Sequence, residues 1–197
     1  MCKRIFDIIF SLILIFILIP FFLIISILIL IDSKGGVIFK QIRVGKNGKL
    51  FTLYKFRSMY INKENNSLLT VGNDKRITRV GKVLRKTKLD ELPQLFNILK
   101  GDMSFVGPRP EVPEYVKYYT EEQRKVLSIR PGLTDYASLY FINEAEILAN
   151  AQNPEEYYIK EIIPKKISLS LKYVEKPTIW NDFVILAKTF FKILRLN

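Results

Sequence analysis

The sequence contains no histidine and only one cysteine, Cys2. The first absence removes Ser–His–Asp and Cys–His nucleophile pairs, imidazole general bases and His-ligated zinc. The second forbids an internal disulfide, which suits a reducing compartment. A Walker loop, a zinc-binding spacing, a dinucleotide fingerprint, internal repeats and low-complexity tracts are also missing. Gly45-Lys46-Asn47-Gly48 lacks the Lys-Ser/Thr pair of a phosphate-binding loop. Acid–base or nucleophilic chemistry therefore falls to carboxylates, lysine, tyrosine, hydroxyls or a hard metal ion held by oxygens. At 197 residues the chain fits one domain of ordinary size with room for one appendage.

Charge is present in excess and is localised. The formal net charge is +12. Residues 32–110 carry 17 basic and 6 acidic side chains, whereas residues 111–197 carry 12 of each. A basic field of this kind suits phosphate-bearing partners: a nucleotide, an anionic lipid surface or nucleic acid. A merely solvated basic face has the same composition.

The apolar residues are segregated too. From Ile8 to Ile31 there are 24 residues without a charge, interrupted only by Ser11, Pro20 and Ser26. At about 1.5 Å per residue such a helix reaches roughly 36 Å, enough for a hydrocarbon core of about 30 Å. The run is too long for a cleavable signal and is not followed by a small-x-small site. Basic residues flank it on both sides: Lys3 and Arg4 before, Lys34, Lys40, Arg43 and Lys46 after. The positive-inside tendency places both flanks in the cytoplasm, which a straight span cannot satisfy. A helix that enters, breaks at Pro20 and returns satisfies it; an ordinary proline-kinked span is the other reading.

Downstream, Val37–Phe39 and Leu50–Phe56 are β-prone around Asn47-Gly48, a strong hairpin signal. Residues 60–74 read as a polar loop, and Ile77–Arg85 as a short basic helix. A second helix is expected from Asp90 to about Leu99, ending at Gly101, with Pro93 in its first turn. Residues 101–113, GDMSFVGPRPEVP, look too rich in Gly and Pro for regular structure. Thr120–Leu127 reads as a helix, and 143–176 as mostly helical with interruptions at Pro154 and Pro164. Along Thr178–Leu196, Trp180, Phe183, Val184, Ala187, Phe190, Phe191 and Leu194 share a face, with Lys188, Lys192 and Arg195 towards the other side. That pattern suits a helix in the membrane interface, although a packed core helix gives the same stripe.

The densest candidate for chemistry is Arg85–Leu95, RKTKLDELPQL. Asp90 and Glu91 follow Arg85, Lys86 and Lys88. Adjacent residues do not share a helical face, so the two carboxylates suit separate tasks, one acting on substrate and one holding a metal. The cations and a helix start favour an ionised Asp90. Most acidic residues at helix starts, however, only cap the helix. Gly107-Pro108-Arg109-Pro110 frames an arginine that could grip phosphate through both guanidinium nitrogens, or could simply be a turn. Lys55 and Arg57 close the second strand, where solvated cations are common.

These motifs, in their order and spacing, resemble those of a known family. KRIFDIIFSLILI, VIFKQIRVGKNGKLFTLYKFRSM, RITRVGKVLRKTKLDELPQLFNILKGDMSFVGPRPE, RPGLTDYA and the helix with Trp180 and Asp182 cover almost the whole length. The chain resembles the small bacterial sugar transferases, the monotopic phosphoglycosyl transferases that start lipid-linked glycan assembly, as in exopolysaccharide and lipopolysaccharide synthesis. The resemblance implies that Asp90 attacks the β-phosphate of a UDP-sugar, releases UMP and holds a covalent phosphosugar. Polyprenyl (undecaprenyl) phosphate then takes up that group. Glu91 is implied to bind Mg²⁺, and Arg85 and Arg109 to hold phosphates; Lys55 and Arg130 are further substrate-binding candidates.

The expected fold is α+β and mostly helical. It has a re-entrant membrane helix over 1–31 broken at Pro20, a small β-hairpin, and a catalytic domain over 32–197 with interfacial amphipathic helices. The expected location is the cytoplasmic face of the bacterial inner membrane, with membrane lipid as a partner and no nucleic acid. The chain departs from the family pattern at Ile19, where well-studied members have Ser before the proline, and at Asp135-Tyr136, where Gly-Trp is common. The substrate is therefore not carried over from any relative. A non-catalytic basic module anchored to the membrane and binding anionic lipid or nucleic acid is the alternative.

Overall fold

The computed structural model describes residues 2–61 and 67–196. Of the polar loop expected over 60–74, residues 62–66 lie outside the described residues, as does the side chain of Arg195. The first element is α1 (Cys2–Asp32), which stays helical through Pro20, so the break expected there is corrected: a proline removes one helical hydrogen bond and bends the axis without ending the helix. Its contact face is a stripe at helical spacing: Asp7, Ser11, Leu14, Leu18, Phe22, Ile25 and Ile29 turn towards the rest of the chain. The opposite face is exposed and almost wholly apolar, with Phe16 and Ile31 each more than three-quarters open.

Polar contacts fix both ends of α1. Near the start, Asp7 is buried and accepts from Ser104 Oγ (3.0 Å) and the Phe105 amide (3.2 Å). Arg4 donates to Ile98 O and Leu99 O, carbonyls in the last turn of α3 (Gln94–Lys100). Lys3 reaches Tyr173 Oη and Asp182. At the far end the buried Arg57 guanidinium donates to Ser33 O (2.7 Å) and Lys34 O, the carbonyls that immediately follow α1. Asp32 accepts from the Val80 amide (2.9 Å) in α2 (Arg79–Lys86).

The hairpin forms as expected, with a longer first strand. β1 (Ile38–Val44) pairs antiparallel with β2 (Leu50–Phe56), Val44 opposite Leu50 and Ile38 opposite Phe56. Asn47 (φ 56°) and Gly48 (φ 76°) supply the left-handed turn. The helix α2 starts at Thr78, whose side chain accepts from the Gly81 amide. α3 docks on β2 through Asn97, which accepts from the Tyr54 amide (3.0 Å) and donates to Thr52 O (2.7 Å), in place of a third strand.

Two expectations are corrected downstream. The Gly/Pro-rich stretch contains a strand, β3 (Ser104–Val106), parallel to β4 (Gly132–Thr134). Three buried residues are too few to show a period, and the pairing is made across 28 residues of sequence. The segment after Thr120 is a 3₁₀ turn over Gln123–Ser128 rather than an α-helix. Pro113 and Pro154 each begin a short helix, α4 (Pro113–Val116) and α7 (Pro154–Tyr157), where a missing N–H costs nothing.

Between them lie α5 (Tyr136–Tyr140) and α6 (Glu144–Ala149). A π turn, Tyr158–Ile162, leads into α8 (Ile163–Glu175), so the chain stays helical up to and through Pro164. The last helix, α9 (Ile179–Leu196), buries Asp182 and Ile185 and exposes Trp180, Phe183, Phe190, Phe191 and Leu194. Its aromatic stripe faces outward, as does the apolar face of α1.

Candidate active site

Asp90 and Glu91 lie in a 3₁₀ turn, Leu89–Glu91, between α2 and α3. The α-helix begins at Gln94, four residues later than expected, with Pro93 as its cap. The carboxylates therefore precede the helix instead of forming its first turn. Lys88 enters the turn with φ 59°, a left-handed conformation unfavourable for a side-chain-bearing residue. This sharp entry turns Asp90 inward, where it is 5 % exposed.

Glu91 is held by two cations. Arg109 grips it with both terminal nitrogens, Nη1 to Oε2 at 3.2 Å and Nη2 to Oε1, and Lys55 Nζ lies 3.1 Å from Oε1. Burial alone would raise the Glu91 pKa, but Arg109, Lys55 and Lys88 together outweigh it and hold the carboxyl well below the usual range. Glu91 in turn raises the pKa of Arg109. Burial lowers the pKa of Lys55 and of Lys88, with Glu91 and Asp90 opposing the shift.

Asp90 differs from its neighbour. Its Oδ1 is buried without a hydrogen-bond partner among the described residues, and so is Nε2 of Gln94 one helical turn on. Burial raises the Asp90 pKa and Glu91 adds to the rise, while Lys55, Arg85 and Lys88 favour the ionised form. An oxygen of this kind at a cavity wall is available to a ligand that enters the cavity.

That cavity measures about 960 Å³ and is lined by Asp90, Glu91, Lys55, Arg85 and Arg109. Arg85 makes no side-chain hydrogen bond or ion pair among the described residues, leaving its guanidinium free for an anion. Part of the wall is apolar, with Leu14 and Leu18 of α1 and Leu186 and Phe190 of α9. Another part is polar, formed by Arg43, Glu111, Glu144, Tyr158 and Lys166.

Arg130 lies outside this wall; its Nε donates to Gly101 O at 2.8 Å. Its loop nonetheless positions Arg109. The Gly132 amide donates to Pro108 O (2.9 Å) and the Gly107 amide to Thr134 O (3.1 Å). A Cβ on Gly132 would sit 2.1 Å from Gly107 N, so the two backbones meet where only glycines fit. Pro20 is exposed on the outer face of α1 and does not line the cavity. Asp135, one of the departures from the family pattern, is fully buried: it caps α5 through Ser138 and accepts from Ser170 Oγ (2.5 Å).

No cluster of three or more Asp, Glu, Cys or His side chains suited to a metal occurs among the described residues. Mg²⁺ is commonly held by one or two carboxylates together with phosphate oxygens. The unpartnered Asp90 oxygen and the Glu91 carboxylate are donors of that kind, and they fit once Arg109 yields an oxygen of Glu91.

Residues 1–196 match the family model described as bacterial sugar transferase. The UDP-N-acetylgalactosamine-undecaprenyl-phosphate N-acetylgalactosaminephosphotransferase of Aeromonas hydrophila is 38% identical over 198 residues, 98% of this chain and 43% of the relative. The undecaprenyl-phosphate galactose phosphotransferase of Salmonella typhimurium is 38% identical over 210 residues, 98% of this chain and 40% of the relative. The UDP-glucose:undecaprenyl-phosphate glucose-1-phosphate transferase of Klebsiella pneumoniae is 36% identical over 195 residues, 96% and 39% respectively. This chain thus spans about two fifths of the length of these relatives. It belongs to the bacterial sugar transferase family.

Proposed function

We propose that this chain transfers a sugar 1-phosphate from a UDP-sugar to a polyprenyl phosphate in two displacements at Asp90. The observation that carries the reading is the buried Oδ1 of Asp90, which has no hydrogen-bond partner among the described residues, on the wall of a cavity lined both by a cationic cluster and by apolar residues of α1 and α9. In the first step a carboxylate oxygen of Asp90 forms a bond to the β-phosphorus. The bond from that phosphorus to the bridging oxygen breaks, and UMP leaves with the electron pair. In the second, an oxygen of the polyprenyl phosphate attacks the same phosphorus, the acyl–phosphate bond breaks and the Asp90 carboxylate is restored.

The residues supply what these steps need. Arg85 is free to take an incoming phosphate, and Arg109 and Lys55 can transfer part of their charge from Glu91 to the diphosphate. Glu91 and Asp90 would hold Mg²⁺, whose chemistry when bound is to neutralise diphosphate oxygens. The apolar wall admits an isoprenoid from the lipid side.

The reading places the protein on the cytoplasmic face of the bacterial plasma membrane with α1 re-entrant. Two observations support this. The stripe from Asp7 to Ile29 keeps α1 against the domain along its length, and buried polar contacts secure both ends. The outward apolar faces of α1 and α9 would be costly in water and suit lipid. A non-catalytic basic module accounts for the charge but not for the orphaned carboxylate, and nucleic acid has no part in the reading.

The test is UMP release in nanodiscs containing undecaprenyl phosphate, with UDP-glucose, UDP-galactose and UDP-N-acetylgalactosamine as donors. Wild type should release UMP from at least one, whereas Asp90→Asn should lose activity at least 1,000-fold and form no covalent phosphosugar. Retained activity in the variant would refute the assignment of Asp90.

A further inference from the structure

The polar lobe of the cavity is a connected network built from distant segments. Tyr158 Oη donates to Glu111 Oε2 at 2.5 Å, and Lys166 Nζ donates to Tyr158 Oη at 3.2 Å and pairs with Glu144. Arg43 Nη1 donates to Glu111 Oε1 and to Pro110 O, each at 3.1 Å. Tyr158 is 3 % exposed, and the four charged side chains are each less than a third open. All five residues line the cavity that contains Asp90.

The electrostatics of the two polar regions differ. The region around Asp90 has four cations, Lys55, Arg85, Lys88 and Arg109, against two carboxylates. The lobe balances Arg43 and Lys166 against Glu111 and Glu144, so it has no net charge. An anionic diphosphate is drawn to the first region. The second offers strong donors and acceptors without a field, which suits a neutral ligand rich in hydroxyls.

Connectivity then limits which neutral part of a UDP-sugar it receives. The sugar is bonded to the phosphorus that Asp90 would attack, whereas the uridine lies beyond the second phosphate. Glu111 is two residues from Arg109 in the chain, and Glu144 is close enough to raise the pKa of the Arg109 guanidinium. The lobe therefore adjoins the phosphate clamp.

We propose that Arg43, Glu111, Glu144, Tyr158 and Lys166 form the subsite that binds the sugar ring of the donor and selects among sugars by their hydroxyl pattern. This rests on the transferase reading above. A site built to hydrogen-bond a hydroxyl discriminates against analogues that lack it or present it differently, because its own polar groups are then left unpaired.

The experiment compares Glu144→Gln, Lys166→Met and Tyr158→Phe with wild type in nanodiscs. Two readouts are taken: kcat/KM across UDP-glucose, UDP-galactose, UDP-N-acetylglucosamine and UDP-N-acetylgalactosamine, and the inhibition constant of UMP. Thermal unfolding identifies variants that keep the wild-type fold, and Tyr158→Phe, which removes one oxygen, is the mildest. The expected result is a 10- to 100-fold fall in kcat/KM for the preferred donor, a change of at least tenfold in the ratio between C4 epimers, and UMP inhibition within twofold of wild type. Unchanged donor ratios in folded variants would overturn the inference, and so would a parallel loss of UMP affinity, which would assign the lobe to the nucleoside. Wild type inactive on every donor would instead refute the transferase reading itself.

Discussion

Adjacent in sequence, Asp90 and Glu91 end in opposite situations: Asp90 Oδ1 has no hydrogen-bond partner among the described residues, whereas the Glu91 side chain is shared by two cations. The difference separates a group free to attack from a group that organises charge. Arg109 is the most instructive member, because its planar fork meets both oxygens of Glu91 and an ammonium cannot. Arg109→Lys should keep the local charge but lose the two-point contact, lowering kcat/KM about 10- to 100-fold with little change in thermal stability, since the side chain is 35 % exposed. Steady-state kinetics and a melting curve on the same preparation check both halves. Asp90, Glu91, Arg85, Arg109 and Lys55 were legible in the sequence because they stand in short, distinctive runs, and the fold brings all five to one cavity. Arg43, Glu144 and Lys166 were not: each is one charged residue in an ordinary segment, and only tertiary packing makes them neighbours.

At the level of elements, the signals that could be read were local ones. Asn47-Gly48 specified the hairpin turn, and the apolar run specified α1. What escaped was non-local: the parallel pairing of β3 with β4, and the use of Asn97 to finish the edge of β2. The start of α3 was misplaced because Pro93 fits a cap as well as a first turn. The polar residues of the α1 stripe were likewise unremarkable in sequence, yet Asp7 and Ser11 are among its most buried positions. Asp7 ties α1 to β3 through two acceptor contacts. Asp7→Ala would leave the Ser104 hydroxyl and the Phe105 amide buried without partners, a loss of about 2 kcal/mol. For a chain of this length that is a fall of roughly 4–8 °C in melting temperature. Scanning calorimetry in detergent should record it, and Asp7→Asn, which retains an acceptor, should recover part of the loss.

For the molecule as a whole, the question is how a chain with one long apolar helix meets a bilayer. Composition alone left a kinked span and a returning helix equally open, because both need the same apolar residues and both tolerate Pro20. The returning helix of our proposal is the one that the packing supports. A helix of 31 residues is about 46 Å long, so a straight span would carry its two ends to opposite faces of the membrane. Here Arg4, at one end of α1, binds carbonyls in the last turn of α3, and Arg57 binds Ser33 O and Lys34 O just past the other end; both contacts belong to the same folded body. Separating the ends across a bilayer would break one set of buried contacts and strand charged groups in hydrocarbon, at several kcal/mol or more. The exposed aromatic face of α9 offers the same body a second apolar surface, which our proposal places against lipid. Cys2, the only native thiol, is exposed and serves as one probe; Gly36→Cys, at a position open to solvent with no atom within 4 Å of an added Cβ, serves as the other. In sealed inverted membrane vesicles, a membrane-impermeant maleimide should label both positions to a similar extent without detergent. Labelling of one position only until the vesicles are opened would establish a spanning helix and require the buried contacts at one end of α1 to be undone in the membrane.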